Sequence, residues 1–397
     1  MSEVNNKNIR KLFIQEIITS FGYLAPLSML AIFLSENKEI HTDKIGFAMF
    51  ISSITARWGR LLFSPIFDKI KANLLLSLMQ IIGAIGYYLL SFYQNYSVII
   101  LSLILIGLFY GSNSIITRVL TSFSDKNNNN STKKFSILHI GTNISATIGP
   151  IIINLIYIYF NKNFAFLFMG IFLTFSGLFT FFSMKNIEIP VQKNLLKTIF
   201  QFLFRKDLWH IYFLILISWF FCAQLYSLAP ILLSHILKNN SYIWIISAIN
   251  GAMVIFISLK INTLMNNYSK NYYFQISISL ILAIFGFSSL IIYHSVFNIV
   301  LGVLFLTFSE ILFIPAFQAL LAEYVPEDSR VAIFAIYALF MGIGEGTGYF
   351  FGTKSLDFLN TDYSWYNNSL YFLTIFIIIG IIISIRKTSI IKNNEEL

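Results

Sequence analysis

The sequence predicts an all-α, polytopic membrane protein, with twelve transmembrane helices in two six-helix pseudo-repeat halves. Three observations predict it. Apolar residues make up 57% of the chain and charged ones only 11%, with a mean hydropathy of +0.74. A soluble domain carries roughly a quarter of its residues charged, so the bilayer is the solvent this composition fits. The apolar residues fall into stretches of about 20, the length that crosses hydrocarbon. Finally, Lys and Arg concentrate in alternate loops, as cytoplasmic connections do.

The stretches run near 11–34, 44–67, 73–92, 97–118, 135–159, 163–184, 208–233, 242–265, 271–293, 295–321, 331–352 and 368–386. The first follows Lys7, Arg10 and Lys11. It is too long for a signal-peptide core and no A-x-A site follows it, so it reads as a retained span. Connections are short except 185–207, which separates an N-terminal bundle (1–184) from a C-terminal one (208–397) as a cytoplasmic linker. Within it, Leu195 to Lys206 mixes apolar and basic residues. That segment is either an amphipathic helix on the inner leaflet or a basic linker. The run Asn127 to Asn130 reads as a loop.

With the N-terminus inside, the cytoplasmic side holds 20 Lys and Arg and the outside 5, while Arg57 and Arg60 lie within a span. A miscounted span would invert half of these assignments. The expected location is the cell's inner (cytoplasmic) membrane, multi-pass, with both termini cytoplasmic. Topology accounts for the net charge of +9, so no nucleic-acid partner is expected. A single cysteine, Cys222, excludes an intrachain disulfide. No Cys/His spacing suits a metal and no nucleophile–base set lies at common depth. Neither a metal, a cofactor nor an enzymatic activity is expected, and the protein is expected to be a monomer.

The halves share local signatures. Leu24-Ala25-Pro26 in span one returns as Leu228-Ala229-Pro230 in span seven, with Tyr23 and Tyr226 just upstream. Ile148-Gly149-Pro150 in span five is matched more weakly by Gly348 in span eleven, at a similar offset. Repeated halves of this kind are typical of transporters whose solute site lies at the membrane midplane between them. Pro26, Pro65, Pro150, Pro230 and Pro315 all fall in expected spans, where a missing N–H bends a helix. Gly344, Gly348 and Gly352, at i+4 spacing in a span, read as a close packing face and not as a dinucleotide fingerprint.

Three segments carry a family resemblance. Ser309-Glu310-Ile311-Leu312-Phe313-Ile314-Pro315 continues through Pro326-Glu327-Asp328-Ser329-Arg330 to Gly344, Gly348 and Gly352. Asn143-Ile144-Ser145-Ala146-Thr147-Ile148-Gly149-Pro150 is the second segment, and Ser64-Pro65-Ile66-Phe67-Asp68-Lys69-Ile70-Lys71 the third. Together these resemble the major facilitator superfamily, in particular its twelve-span drug:proton antiporter-like branch. Ser309, Ser64 and Lys71 stand where that pattern has glycine. The resemblance implies a secondary transporter working by alternating access, with Asp68, Lys69, Gly149, Pro150, Arg118 and Arg330 in gating or conformational roles.

Ionisable groups at membrane depth carry the expected chemistry. An unpaired charge there costs roughly 2.5–3.5 kcal/mol on insertion scales, so such groups face a cavity or a partner. Arg57, Arg60 and Ser64 share one face of span two, and a guanidinium suits carboxylate or phosphate. The face is either a positive wall for an anionic solute or a structural salt bridge, and Glu345 is a candidate partner across the halves. Glu310 shares a face with Gln318, and Glu345 with Tyr337 and Met341. A carboxyl in a poorly hydrated cavity can exchange a proton near neutral pH, the requirement for proton coupling. Glu16, a turn or more into span one, either joins the solute and coupling site or sits near enough to the interface to snorkel. Tyr23, Tyr226, Gln224 and Asn143 are expected to shape the pocket, with His139 one turn before Asn143.

The expected function is proton-coupled movement of a small organic solute, with export of a drug or metabolite favoured. The alternatives are transport of an organic anion, such as a siderophore or peptide-like compound, or a non-transporting membrane sensor. The expected partners are the solute, protons and the lipid bilayer.

Overall fold

Hydrocarbon offers a backbone no hydrogen-bond partners, so a spanning chain must pair its own N–H and C=O groups, most simply within a helix. The computed structural model describes residues 2–36, 40–67, 70–123, 131–184, 195–269, 271–292, 295–325, 329–354, 379–383 and 386. The described chain is helical and contains no strand. In the first half the helices are α1 (Ser2–Ser35), α2 (Thr42–Phe67), α3 (Ala72–Phe92), α4 (Tyr96–Phe123), α5 (Ser131–Tyr159) and α6 (Lys162–Ser183). Then come α7 (Leu195–Leu203), α8 (Trp209–Cys222), α9 (Leu228–Leu237), α10 (Trp244–Tyr268), α11 (Tyr272–Ile292), α12 (Val296–Tyr324) and α13 (Arg330–Thr353). The first eleven expected spans each coincide with described helix. The twelfth, expected over 368–386, is described only at 379–383 and 386, which are helical.

Nine helices among the described residues are long and apolar enough to cross a membrane, and α1 joins them if its two arms count as one span. Those arms, Arg10–Leu27 and Met29–Ser35, meet at 47° just after Pro26. The missing N–H of Pro26 removes one intrahelical bond and leaves the Gly22 carbonyl to the Tyr87 hydroxyl, which weakens the helix around the proline.

Two compact units divide the chain, Met1–Lys193 and Asn194–Leu397. Each is packed the same way. In the first, α1 lies on α4 and α5, and α4 also receives α2 and α3. In the second, α8 lies on α12 and α13, and α12 also receives α10 and α11. Small residues mark equivalent crossings. A Cβ built at Gly86 of α3 would stand 2.7 Å from the Ser102 carbonyl oxygen of α4, and one at Gly286 of α11 would stand 3.0 Å from the Gly302 carbonyl oxygen of α12. Gly149 of α5 closes on Ala25 of α1, while Gly348 of α13 closes on Phe220 of α8 and on Ala223 beyond it. Gly344 and Gly352 face Leu216 and Ser227, so the glycine stripe of span eleven is the close packing face that its spacing predicts.

Span seven differs from the uninterrupted helix expected over 208–233. It breaks: α8 ends at Cys222, a single 3₁₀ turn occupies Ala223–Leu225, and α9 starts at Leu228. Pro230 explains the break. In a continuous helix its ring would meet the carbonyl of Tyr226, whereas in the first turn of a new helix its missing N–H costs nothing. Between the spans, α7 packs against α13 and buries Ile199 and Phe202 while leaving Leu196 and Phe200 exposed. The basic connection therefore contains a short helix.

A candidate solute and proton site

At span depth the first unit assembles a cation on an aromatic bed. Arg57 of α2 is only 7% exposed. Its guanidinium carbon lies 5.6 Å from the centre of the Tyr110 ring of α4. Tyr23 of α1 stacks on that ring, with centroids 4.3 Å apart and planes 13° apart. Backbone holds the stack in place: Tyr87 of α3 donates to the Gly22 carbonyl at 2.6 Å. A guanidinium is weakly hydrated and planar, so it tolerates burial on a ring face better than an ammonium.

A second polar layer lies nearer the start of α1. Glu16 is buried, and Thr142 of α5 donates to its Oε1 at 2.9 Å. The structure therefore corrects the snorkelling reading: this carboxyl points into the bundle. Beside it, the Thr180 hydroxyl of α6 lies 2.8 Å from Gln15 Oε1 and 3.1 Å from Gln80 Oε1, all three side chains being buried.

The second unit assembles carboxylates. Asn250 of α10 donates through Nδ2 to Glu310 Oε2 at 2.7 Å and to Thr307 Oγ1 at 3.2 Å, both on α12. Tyr226, at the break in span seven, donates to Asn250 Oδ1 at 3.3 Å. Cys222, the last residue of α8, and Glu345 of α13 both lie within electrostatic reach of Glu310. Glu345 is itself buried and accepts from Tyr349 at 2.8 Å, one turn along α13. Tyr337, two turns before Glu345, accepts from Trp219 Nε1 at 3.1 Å, and Trp219 packs edge-on against Phe313.

Within the second unit the structure brings together Tyr226, Glu310 and Glu345. Gln224 does something else: its Nε2 donates to the carbonyls of Phe220 at 3.0 Å and Gly348 at 3.1 Å, and so ties the break in span seven to α13. Gln318 is exposed. Asn143 is buried, and its carbonyl accepts from Thr147 at 2.7 Å. Gly149 and Pro150 stand where α5 crosses α1. Asp68 and Lys69 lie outside the described residues, as do the side chains of Arg60, Arg118, His139 and Arg330. Sequence reasoning missed Tyr110, Asn250 and Thr142. The available signal for Asn250 was an amide in the middle of an apolar span.

These features define a class first: a multi-pass membrane protein, helical and without strands in its described residues, with ionisable groups buried at span depth. The family follows. The Major Facilitator Superfamily model matches residues 12–348, and the chain belongs to that superfamily. No curated protein sequence matches it. Among solved structures, the chain is similar to a POT family transporter in complex with a thioalcohol-conjugated peptide. That match has a TM-score of 0.78 and 14% identity over 97% of this chain and 96% of that one. A POT family transporter in complex with 5-aminolevulinic acid matches with a TM-score of 0.71 and 16% identity, over 96% and 95% of the two chains. The nucleoside transporter NupG matches with a TM-score of 0.74 and 16% identity, over 97% and 99%. At such identities the likeness is one of fold. The protein is a membrane transporter and not an enzyme.

Proposed function

We propose that the protein is a proton-coupled secondary transporter of small organic solutes that carry a carboxylate, peptide-like compounds among them. It works by alternating access in the cytoplasmic membrane, as a monomer with both termini on the cytoplasmic side. One observation carries the reading. Each half buries ionisable groups among its own spans: spans one, two and four gather Arg57 with Tyr110 and Tyr23, with Glu16 nearer the start of span one, while spans seven, eight and ten gather Glu310 with Asn250 and Tyr226. A buried guanidinium selects a carboxylate by charge and shape. Buried carboxyl groups supply exchangeable protons. Two structural neighbours hold a peptide conjugate and 5-aminolevulinic acid, molecules of this chemistry. The loop-charge asymmetry supports the orientation.

The second reading is export of an apolar drug or metabolite, favoured by the aromatic group of Trp219, Phe313 and Tyr337 in the second half. Uptake by proteoliposomes under an imposed pH gradient tests both, with a labelled dipeptide, 5-aminolevulinic acid, an uncharged nucleoside and a hydrophobic cationic dye as probes. The proposal expects the carboxylated probes to accumulate. Movement of the dye alone would favour the second reading. If no probe moved, both would fail.

A further inference from the structure

The buried chain Tyr226–Asn250–Glu310 has a polarity, and the polarity has a consequence. An asparagine amide is a donor on one side and an acceptor on the other. Tyr226 donates to Asn250 Oδ1, so Nδ2 is turned toward Glu310 and Thr307. Thr307 donates its own proton to the Val303 carbonyl at 2.7 Å, which leaves its oxygen free to accept from Asn250. Every link therefore points toward Glu310 Oε2 as an acceptor, so in this arrangement that oxygen carries no proton. A proton arriving on that oxygen would set O–H against N–H. Rotating the Asn250 amide by half a turn relieves the clash. Oδ1 then accepts from the acid, and Nδ2 faces the Tyr226 oxygen, whose proton must find another acceptor.

Tyr226 is where this matters mechanically. It closes the 3₁₀ turn between α8 and α9, its N–H donating to the Ala223 carbonyl at 3.0 Å. One residue on, Ser227 donates to the same carbonyl at 3.0 Å. The turn is also fastened to α13 by Gln224 through the Gly348 carbonyl at 3.1 Å. The side chain that changes its hydrogen bond when a proton settles on Glu310 Oε2 is thus the one at the joint of the broken span.

We infer that Asn250 is a positioning residue for Glu310, an amide switch that reports the protonation of that carboxyl to the joint of span seven. The inference rests on the proton-coupled reading above. Glu310 faces other titratable groups, Cys222 of α8 and Glu345 of α13, and so the test perturbs the amide and leaves them in place. The full-length protein is reconstituted, and counterflow exchange of a labelled dipeptide is followed across pH for wild type, Asn250→Leu, Asn250→Ser and Tyr226→Phe. Asn250→Leu removes the donor to the carboxylate, and the midpoint of the pH profile is expected to move to higher pH by about one unit. Asn250→Ser, small and keeping one donor, is expected to lie between. Tyr226→Phe removes the far end of the chain and is expected to lower proton-driven accumulation more than exchange. A midpoint identical to wild type in Asn250→Leu overturns the inference. So does a wild-type midpoint in Asn250→Ser, should the leucine variant fail to fold. In either event wild-type transport driven by the pH gradient would leave the proposed function standing, whereas its absence would remove both.

Discussion

Replacing Arg57 by methionine removes the guanidinium and keeps an unbranched stem in the wall formed with Tyr110. With only 7% of the residue exposed, water screens this charge little, so the loss should be close to that of a charge-assisted hydrogen bond, about 1.5–3 kcal/mol. At 1.4 kcal/mol per factor of ten, that corresponds to roughly a ten- to hundredfold loss of affinity for a carboxylated solute. The same change also removes the contact of Arg57 with the Tyr110 ring. That contact belongs to the folded protein and weakens every solute alike, so the assay must separate the two. Inhibition of dipeptide uptake is measured with the unlabelled dipeptide and with its C-terminal amide, in proteoliposomes of each variant. Wild type should prefer the free acid by the factor above, and Arg57→Met should bring the preference close to one. Arg57→Lys keeps the charge without the planar fork and should fall between. An Arg57→Met protein that lost both inhibitors equally and kept the preference would refute the reasoning, and would make Arg57 a structural ion.

Two further outcomes follow from the second unit. A Cβ at Gly348 would stand 2.5 Å from the Phe220 carbonyl oxygen, so Gly348→Ala should cost about 1–3 kcal/mol of stability and lower the melting temperature in detergent. Gly380→Ala, whose nearest neighbour is an ordinary 3.4 Å away, should leave it unchanged. Glu345 is buried with Tyr349 donating to it, and Glu345→Gln should keep dipeptide exchange but lose accumulation under a pH gradient. Undiminished accumulation in that variant would take Glu345 out of the coupling assignment.

The spans and the internal repeat are legible in the chain because both rest on physics that acts locally. Hydrocarbon demands a certain length of apolar residues, and loop charge sets their sense. The matched segments around Pro26 and Pro230 also mark true joints, yet the two behave differently. α1 stays helical and bends beyond Pro26, while span seven breaks before Pro230. The triplet Leu-Ala-Pro is the same in both, so the difference lies in what surrounds it. Gln224 finds the Gly348 carbonyl of α13, a contact that no local pattern announces.

The site divides along the same line. Arg57, Glu310 and Glu345 stand out because a charge at span depth is rare and expensive. Their neighbours do not stand out. Tyr110 is one tyrosine among 21, and only the packing of α2 on α4 puts its ring beneath Arg57. Asn250 is camouflaged by a chain rich in asparagine. Glu16 looks from its position like an interfacial residue, and it is the threonine of α5, 126 residues away, that makes it an interior one.

The most direct test of the account follows protons and solute together. A pH-sensitive dye is trapped inside proteoliposomes without an imposed gradient, and a dipeptide is added outside. The account predicts that wild type acidifies the lumen as the solute enters, and that Glu310→Gln, preloaded with unlabelled dipeptide, exchanges labelled solute without acidification. Solute entry in wild type with no movement of protons would contradict it.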